Sequence, residues 1–224
     1  MINIRIELEL TIDKMSEAPT PAHIIFDKLS DSNRPRIPPK EPGVAIRDEQ
    51  IKRAFRWDYK SCSILYEDVS NYDNWIAQII KVLDDVNNAV PIRKITEEVL
   101  RTFWVIPTKY DFSTLESKYR FMFIKDNPLF SNILDSTIVV ESRIDLGEFH
   151  HQSGAMKINQ LQTQFRVFKL KNDFPKVFLF LDATVTAKDN VEYSNQYMRE
   201  YIQKAFQICK SHSDSFEKTM EAIV

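Results

Sequence analysis

Residues 2–12 alternate strictly between apolar and polar side chains. Isoleucine or leucine occupies every even position from Ile2 to Ile12, and polar residues occupy the odd positions between them. A period of two residues predicts a β-strand with one face on a core and the other face in water. Because the polar face mixes acidic and basic side chains, we expect it on the exposed surface of an antiparallel sheet.

A proline-rich stretch follows this strand. Pro21 is placed to start a short helix that ends near Leu29. The segment RPRIPPKEPG, at positions 34–43, then holds four prolines in ten residues and predicts an extended, exposed linker or surface clasp. We therefore divide the chain into an N-terminal arm, residues 1–43, and a main body, residues 44–224.

The next part of the chain alternates between strand and helix patterns. FRWDYKSCSILY, at positions 55–66, predicts a β-hairpin, and NYDNWIAQIIKVLDDV, at 71–86, predicts a helix with one apolar stripe. VLRTFWVI, at 99–106, has the branched and aromatic residues of a strand, and STLESKYRFMF, at 113–123, favours a helix.

The second half predicts three strands and a terminal helix. The strands are STIVVESRIDL at 136–146, KINQLQTQFRVFKL at 157–170 and KVFLFLDATVTA at 176–187, and the apolar run Val177–Leu181 indicates burial on both faces. From about Glu192 to Ile223 apolar residues recur every three or four positions, as in a long amphipathic helix. The fold class is therefore α+β, with mainly antiparallel sheet and packed helices. Two similar halves, 44–130 and 131–224, are a hypothesis without a residue-level repeat to support it.

Composition narrows the function classes. Thirty basic and 32 acidic residues give a net charge of −2, which provides no overall field to attract nucleic acid or an anionic membrane. Three glycines cannot form the phosphate-binding loops of the common nucleotide enzymes. No apolar run spans a bilayer and no secretory signal is visible, and two cysteines without a disulfide spacing point to the cytoplasm.

Four short motifs follow one another along the chain. They are YDNW at 72–75, VLRTFWVIP at 99–107, FLFLDATV at 178–185 and SHSDSF at 211–216. In this order they resemble a family of uncharacterised, sporadically distributed prokaryotic proteins, over the part of the chain from about Tyr66 to the C-terminus. The strand of the second motif has Arg101 and Thr102 where that family has an arginine-tyrosine-asparagine pattern. Because the family has no established activity, the resemblance does not imply a mechanism. It implies a fold and an occurrence near mobile or defence-related genes.

The heptapeptide EFHHQSG, at 148–154, is the first candidate for a catalytic or metal-binding site. His150 or His151, together with Glu148 and Asp182, could bind a metal ion and support a metal-dependent hydrolase or nuclease. Adjacent histidines in an extended chain point to opposite sides, however, and rarely bind one ion together. We therefore favour a hairpin loop with a glycine at each end, Gly147 and Gly154.

Three further residues could act in a site. Asp182, at the end of the most apolar strand, is a candidate acid or metal ligand, but we expect it to cap a nearby turn or to pair with an arginine such as Arg143. His212 lies in the apolar stripe of the terminal helix, where a histidine usually packs its ring and bonds to a loop carbonyl. A dyad with Cys209 would need an exposed thiol, and a buried thiol is inert.

Two tracts interleave basic and aromatic residues. KRAFRWDYK contains Arg53, Phe55, Arg56 and Trp57, and QFRVFKLKNDFPK occupies 164–176. Surfaces that bind single-stranded nucleic acid have this composition, but half-exposed sheets have it as well. Nucleic-acid binding is thus an alternative that the net charge does not favour.

No active site is assembled in the sequence, so the main hypothesis is a non-enzymatic accessory protein without a cofactor. It would bind another protein encoded nearby, in an antiviral defence system or a similar setting, and self-association stays open. The first strand, as an edge strand, and the proline-rich segment are the expected contacts, because both present ordered backbone. The contact residues in that segment are Pro35, Arg36, Pro38, Pro39 and Pro42.

Overall fold

The structure, a computed structural model, describes residues 1–14, 44–48, 53–57, 60–67, 72–89, 91–124, 137–165 and 174–224. These ranges form an α+β fold with a long C-terminal helix, as the sequence predicts. The strands are β1 (Ile2–Lys14), β2 (Val44–Asp48), β3 (Arg53–Trp57), β4 (Ser61–Glu67), β5 (Ile92–Pro107), β6 (Ile138–Ile144), β7 (Gly147–Lys157), β8 (Val177–Ala187) and β9 (Val191–Glu192). The helices are α1 (Tyr72–Ala89), α2 (Phe112–Ile124), α3 (Ile158–Phe165) and α4 (Asn195–Met220).

One antiparallel sheet contains all nine strands. Their order is β2-β3-β4-β1-β5-β8-β7-β6, and the short β9 also pairs with β5. β1 lies in the middle, where Leu8 is opposite Ile64 of β4 on one side and Leu100 of β5 on the other. The prediction that β1 is an edge strand is therefore wrong, because both of its hydrogen-bonding edges are occupied.

The order of elements repeats along the chain. β1 precedes the set β2, β3, β4 and α1, and β5 precedes the set β6, β7, β8 and α4, with α2, α3 and the two-residue β9 as additions in the second part. In the sheet, β1 and β5 lie side by side at the centre and each set extends outward from them. This repeat has its midpoint between α1 and β5. The halves 44–130 and 131–224, like the domain boundary at residue 43, remain predictions from the sequence.

The main core lies on one face of the sheet. Alternate strand residues contribute to it, and α1, α2 and α4 pack on the same face through buried residues such as Trp75, Tyr119 and Phe206. The period of three and four residues predicted for α4 is confirmed, with Met198, Ile202 and Cys209 buried along one side. None of the helices in the described ranges is long and apolar enough to cross a membrane.

A second, smaller cluster lies on the opposite face, at one end of the sheet. Leu161 of α3 packs there against Phe103, Phe178 and Phe180. β8 is thus buried on both faces, as predicted. The prediction of a strand over 157–170 is wrong for its described part, because Ile158 and Leu161 have helical spacing and belong to α3; residues 166–170 lie outside the described ranges.

EFHHQSG is a strand and not a loop. The turn of the β6–β7 hairpin is at residues 145–146, and Gly147 begins β7 with a φ of 127°. A Cβ atom at Gly147 would lie 2.3 Å from the Thr186 carbonyl oxygen, so only glycine fits there. Gly154, which the sequence analysis placed in a turn, is paired with Phe180 inside the sheet.

Candidate functional site

The described helices leave most of the face of the sheet opposite α1, α2 and α4 uncovered, and we call it the open face. Of the described helices, only α3 packs against it, at one end. Strand alternation and register place the following half-exposed or exposed side chains on it: Glu7, Glu9, Arg56, Ser63, Val99, Arg101, Val139, Glu141, Arg143, Glu148, His150, Gln152, Thr184 and Thr186.

An arginine–aspartate pair lies at the centre of the open face. The Arg101 Nε group donates hydrogen bonds to both carboxylate oxygens of Asp182, at 2.8 and 3.0 Å, and the Arg101 Nη2 group donates a further bond. The hydrogen bonds to Asp182 raise the pKa of the Arg101 guanidinium. Because the Asp182 carboxylate is only 3% exposed and both oxygens are bonded, its role here is structural.

This pair corrects two predictions about Asp182. Asp182 lies in the middle of β8 and not at its end, and its arginine partner is Arg101, not Arg143. Arg143 is on β6, and β7 separates β6 from β8. An arginine therefore pairs with Asp182, as expected, but it comes from β5, which lies next to β8.

The open face carries charges of both signs. The Arg5 guanidinium donates to the Glu67 carboxylate at 2.9 Å, and the Ser63 hydroxyl donates to Glu7 at 3.3 Å. Burial, followed by the neighbouring Glu7 carboxylate, raises the pKa of Glu9. A surface with acidic and basic groups side by side complements a surface that also mixes both signs, and it does not attract a polyanion.

The proposed metal ligands do not come together. Glu148, His150 and Asp182 point to the open face, but His151 points to the helix-covered face, because neighbouring strand residues alternate. His150 Nδ1 lies 3.3 Å from the Glu141 carboxylate, in a shallow depression of about 330 Å³. Within the described ranges, no three histidine, cysteine or acidic side chains are placed to share a metal ion.

On the helix-covered face, His151 belongs to a chain of hydrogen-bonded side chains. Its Nδ1 atom lies 2.5 Å from Nε2 of His212 on α4, and its Nε2 atom lies 2.5 Å from the Ser153 hydroxyl. The Ser153 hydroxyl is in turn 2.7 Å from the hydroxyl of Tyr119 on α2. The chain therefore connects β7 to two helices that are distant in sequence.

Burial controls the protonation of this chain. It lowers the pKa of His151 to about 4, with a further contribution from His212, and it raises the pKa of Tyr119 to about 12. The His212 pKa is lowered for the same reason. Ser153 is 1% exposed, so a substrate cannot reach its hydroxyl. The arrangement resembles the start of a serine–histidine site but is closed to substrate and acts as a structural connection.

The Cys209–His212 dyad is not formed. The Cys209 thiol is fully buried, lies 3.6 Å from the Ala183 carbonyl oxygen, and has a pKa raised to about 12 by burial. His212 contacts His151 instead of the loop carbonyl that we expected. Both cysteines, Cys62 and Cys209, are buried free thiols.

The residues proposed for nucleic-acid binding are divided between the two faces. Phe55 and Trp57 are 5% and 2% exposed in the main core, so their rings cannot stack on bases. Arg53 donates a hydrogen bond to the Tyr66 hydroxyl at 3.4 Å, and of these four residues Arg56 is the exposed one. The second tract lies mostly outside the described residues, as do Pro35, Arg36, Pro38, Pro39 and Pro42, whose partner contacts remain a prediction.

A buried acid that the sequence analysis did not single out lies under α4. Glu98 of β5 is fully buried on the main-core face, and its carboxylate interacts with the Tyr197 hydroxyl but forms no hydrogen bond of normal geometry. The Tyr201 hydroxyl contacts only the backbone carbonyl of this residue, at 3.0 Å. Burial raises the pKa of the Glu98 carboxyl group above 4.5.

Replacing Glu98 by methionine is expected to raise the free energy of unfolding by about 1 to 3 kcal/mol at neutral pH, because a buried polar group that forms no hydrogen bond of normal geometry is removed. The folded-state pKa is raised, so the wild-type penalty is absent below pH 4.5 and grows as the pH rises above it. Urea unfolding at two pH values measures both effects. Glu97→Met, at the half-exposed neighbouring position, is the control and should change stability little; an equal gain from both variants would contradict the assignment.

Sequence reasoning missed the Arg101–Asp182 pair and the Ser153–Tyr119 contact. The two residues lie 81 positions apart in the chain in the first contact and 34 positions apart in the second. Period two applied to residues 149–153 would have placed Phe149, His151 and Ser153 on one face, but the glycines at either end suggested a loop. The contacts with residues on other strands and helices cannot be inferred from the local sequence.

No family model and no curated protein matches the chain. Among solved structures, the chain is similar to one described as Methanococcus jannaschii TBP, with 9% sequence identity and a TM-score of 0.32. The match covers 93% of this chain and 98% of that chain.

Proposed function

We propose that this protein is a non-enzymatic accessory protein that binds another protein on its open face. The partner is encoded beside it, and the setting is the cytoplasm of a prokaryote, in a defence system. The genomic part of the proposal rests on the sequence motifs alone. The two buried free thiols are compatible with a reducing compartment.

One observation carries the binding role. Three helices pack on one face of the sheet, whereas in the described part of the chain the opposite face carries half-exposed polar side chains from β3 across to β6. Strands paired in one sheet hold these side chains in place, and charges of both signs are interspersed across them. Such a surface favours a protein partner with complementary charges, because protein interfaces combine polar groups of both signs on a fixed scaffold.

The alternative functions have less support. For a metal-dependent hydrolase, His151 lies on the wrong face, and Asp182 is occupied by Arg101. For a single-strand binding module, Phe55 and Trp57 are buried. Nucleic-acid binding would also require a surface with a clear excess of positive charge.

The test uses a double charge reversal on the open face. Glu9→Lys with Arg56→Glu leaves the net charge unchanged and replaces two exposed side chains on neighbouring parts of this face. The protein is co-expressed with the products of adjacent genes and purified by affinity. We expect the wild type to retain one product stoichiometrically and the open-face variant to weaken the complex by at least about tenfold, since charge reversal places like charges opposite each other.

Arg199→Glu with Glu200→Lys is the matched control. Both residues are exposed on α4, on the other side of the molecule, and the net charge is again unchanged. This variant should retain the partner. Equal retention by both variants would exclude the open face as the binding surface, and the absence of any partner under native expression would exclude the accessory role.

A further inference from the structure

β6 is the end strand of the sheet and is exposed on both faces. Residues 139–143 are all exposed, with Val139 at 53% and Val140 at 46%. Of the described strands, only β7 pairs with β6. Edge strands are usually protected by charged side chains, proline or a bulge; β6 has no proline and no bulge, and its exposed Glu141 and Arg143 have opposite signs, so they can pair with a second copy.

The β6 sequence IVVESRI is complementary to itself when two copies run antiparallel about Ser142. In this register Glu141 of one copy lies directly opposite Arg143 of the other, and the same pair occurs a second time by symmetry. Val140 lies opposite Ile144 on the helix-covered face. Opposite charges and branched apolar residues directly across a ladder are both stabilising.

Other antiparallel registers are less favourable. Centring the ladder on Glu141 would place two Glu141 carboxylates directly opposite each other, and like charges in this position are destabilising. Centring it on Val140 would place Glu141 opposite the apolar Val139. The register about Ser142 is thus the one in which charge and hydrophobicity agree.

We propose that a second copy of this chain pairs with β6 edge to edge and continues the sheet through a two-fold axis near Ser142. Residues directly opposite each other in a ladder point to the same side of a sheet, so the two open faces would lie side by side and form one surface. This inference rests on the unpaired edge of β6 and not on the proposed partner, although Glu141 and Arg143 also lie on the open face.

The first test is a cross-link across the axis. Cys62 and Cys209 are buried, so Ser142→Cys adds an accessible thiol whose symmetry mate lies directly opposite, within the Cα separation that a disulfide spans. Mild oxidation should give a disulfide-linked dimer in high yield. Ser211→Cys, exposed on α4, is the control and should stay mostly monomeric. Equal yields from both variants would refute the proposal.

The second test is charge reversal, read as molecular mass by light scattering at roughly 100 µM, where a dimer of micromolar affinity is formed. The wild type should have twice the mass of one chain. Glu141→Arg and Arg143→Glu should each be monomeric, because each variant places like charges opposite each other. Both residues are exposed, so the variants should fold normally, which circular dichroism verifies.

Mixing the two monomeric variants should restore the dimer, because the arginine pair of the Glu141→Arg chain then faces the glutamate pair of the Arg143→Glu chain. The double variant Glu141→Arg with Arg143→Glu should dimerise by itself for the same reason. A monomeric wild type would overturn the proposal, and so would a dimer that the single reversals leave intact. A wild-type dimer that retains no neighbouring-gene product would contradict only the proposed function.

Discussion

Replacing Arg101 by methionine is expected to lower the free energy of unfolding by about 3 to 5 kcal/mol, the largest effect that we predict for a single substitution. The variant leaves the Asp182 carboxylate buried at 3% exposure without its bidentate partner. Urea unfolding monitored by tryptophan fluorescence measures the change.

Two further variants separate the ion pair from a general effect of removing charge. Arg56→Met, on the same face but exposed, should change stability by no more than about 0.5 kcal/mol. The double variant Arg101→Met with Asp182→Leu should recover most of the loss, because no unpaired charge remains. A loss below about 1 kcal/mol for Arg101→Met would show that Asp182 finds another partner.

The free energy of unfolding is expected to decrease by up to about 3 kcal/mol as the pH falls from 6.5 to about 4, because of the lowered pKa of His151. Burial lowers the His151 pKa in the folded state, so the unfolded chain takes up a proton at a higher pH than the folded chain does. Stability from this residue is present above pH 6.5 and declines as the pH falls, until the folded protein is protonated near pH 4. His212 acts in the same direction.

The measurement is the urea midpoint across this pH interval for the wild type and for His151→Gln. Glutamine has no titrating group, so the variant should show a smaller decline, whereas His150→Gln should decline like the wild type. The carboxyl groups are the same in all three proteins and cancel in the comparison. Parallel curves for the wild type and His151→Gln would remove His151 as the origin of the acid sensitivity.

Much of the fold follows from short-range patterns. The alternation from Ile2 to Ile12 predicts which face of β1 is buried, and the run Val177–Leu181 predicts a strand covered on both sides. Helical spacing identifies α4 together with its buried face. These predictions succeed because side-chain direction in a strand or helix depends only on position within that element.

Local patterns were misleading where two of them competed. Glycines at 147 and 154 suggested a loop between them, although the side chains between them are alternately buried and at least partly exposed, as in a strand. Interleaved basic and aromatic residues at 53–57 suggested a nucleic-acid surface, although the same alternation turns Phe55 and Trp57 into the core. Residue type was given more weight than period, and period was the better guide.

The amino-acid pattern determined the class of the fold and the buried faces of β1, β8 and α4. Only the tertiary structure decided that β1 is central, that Asp182 pairs with Arg101, and that His151 joins Ser153, Tyr119 and His212 away from His150. The reason is that these features depend on strand order and register. Order and register bring together residues far apart in the chain, and the free energy that selects them comes from the whole sheet and its helices.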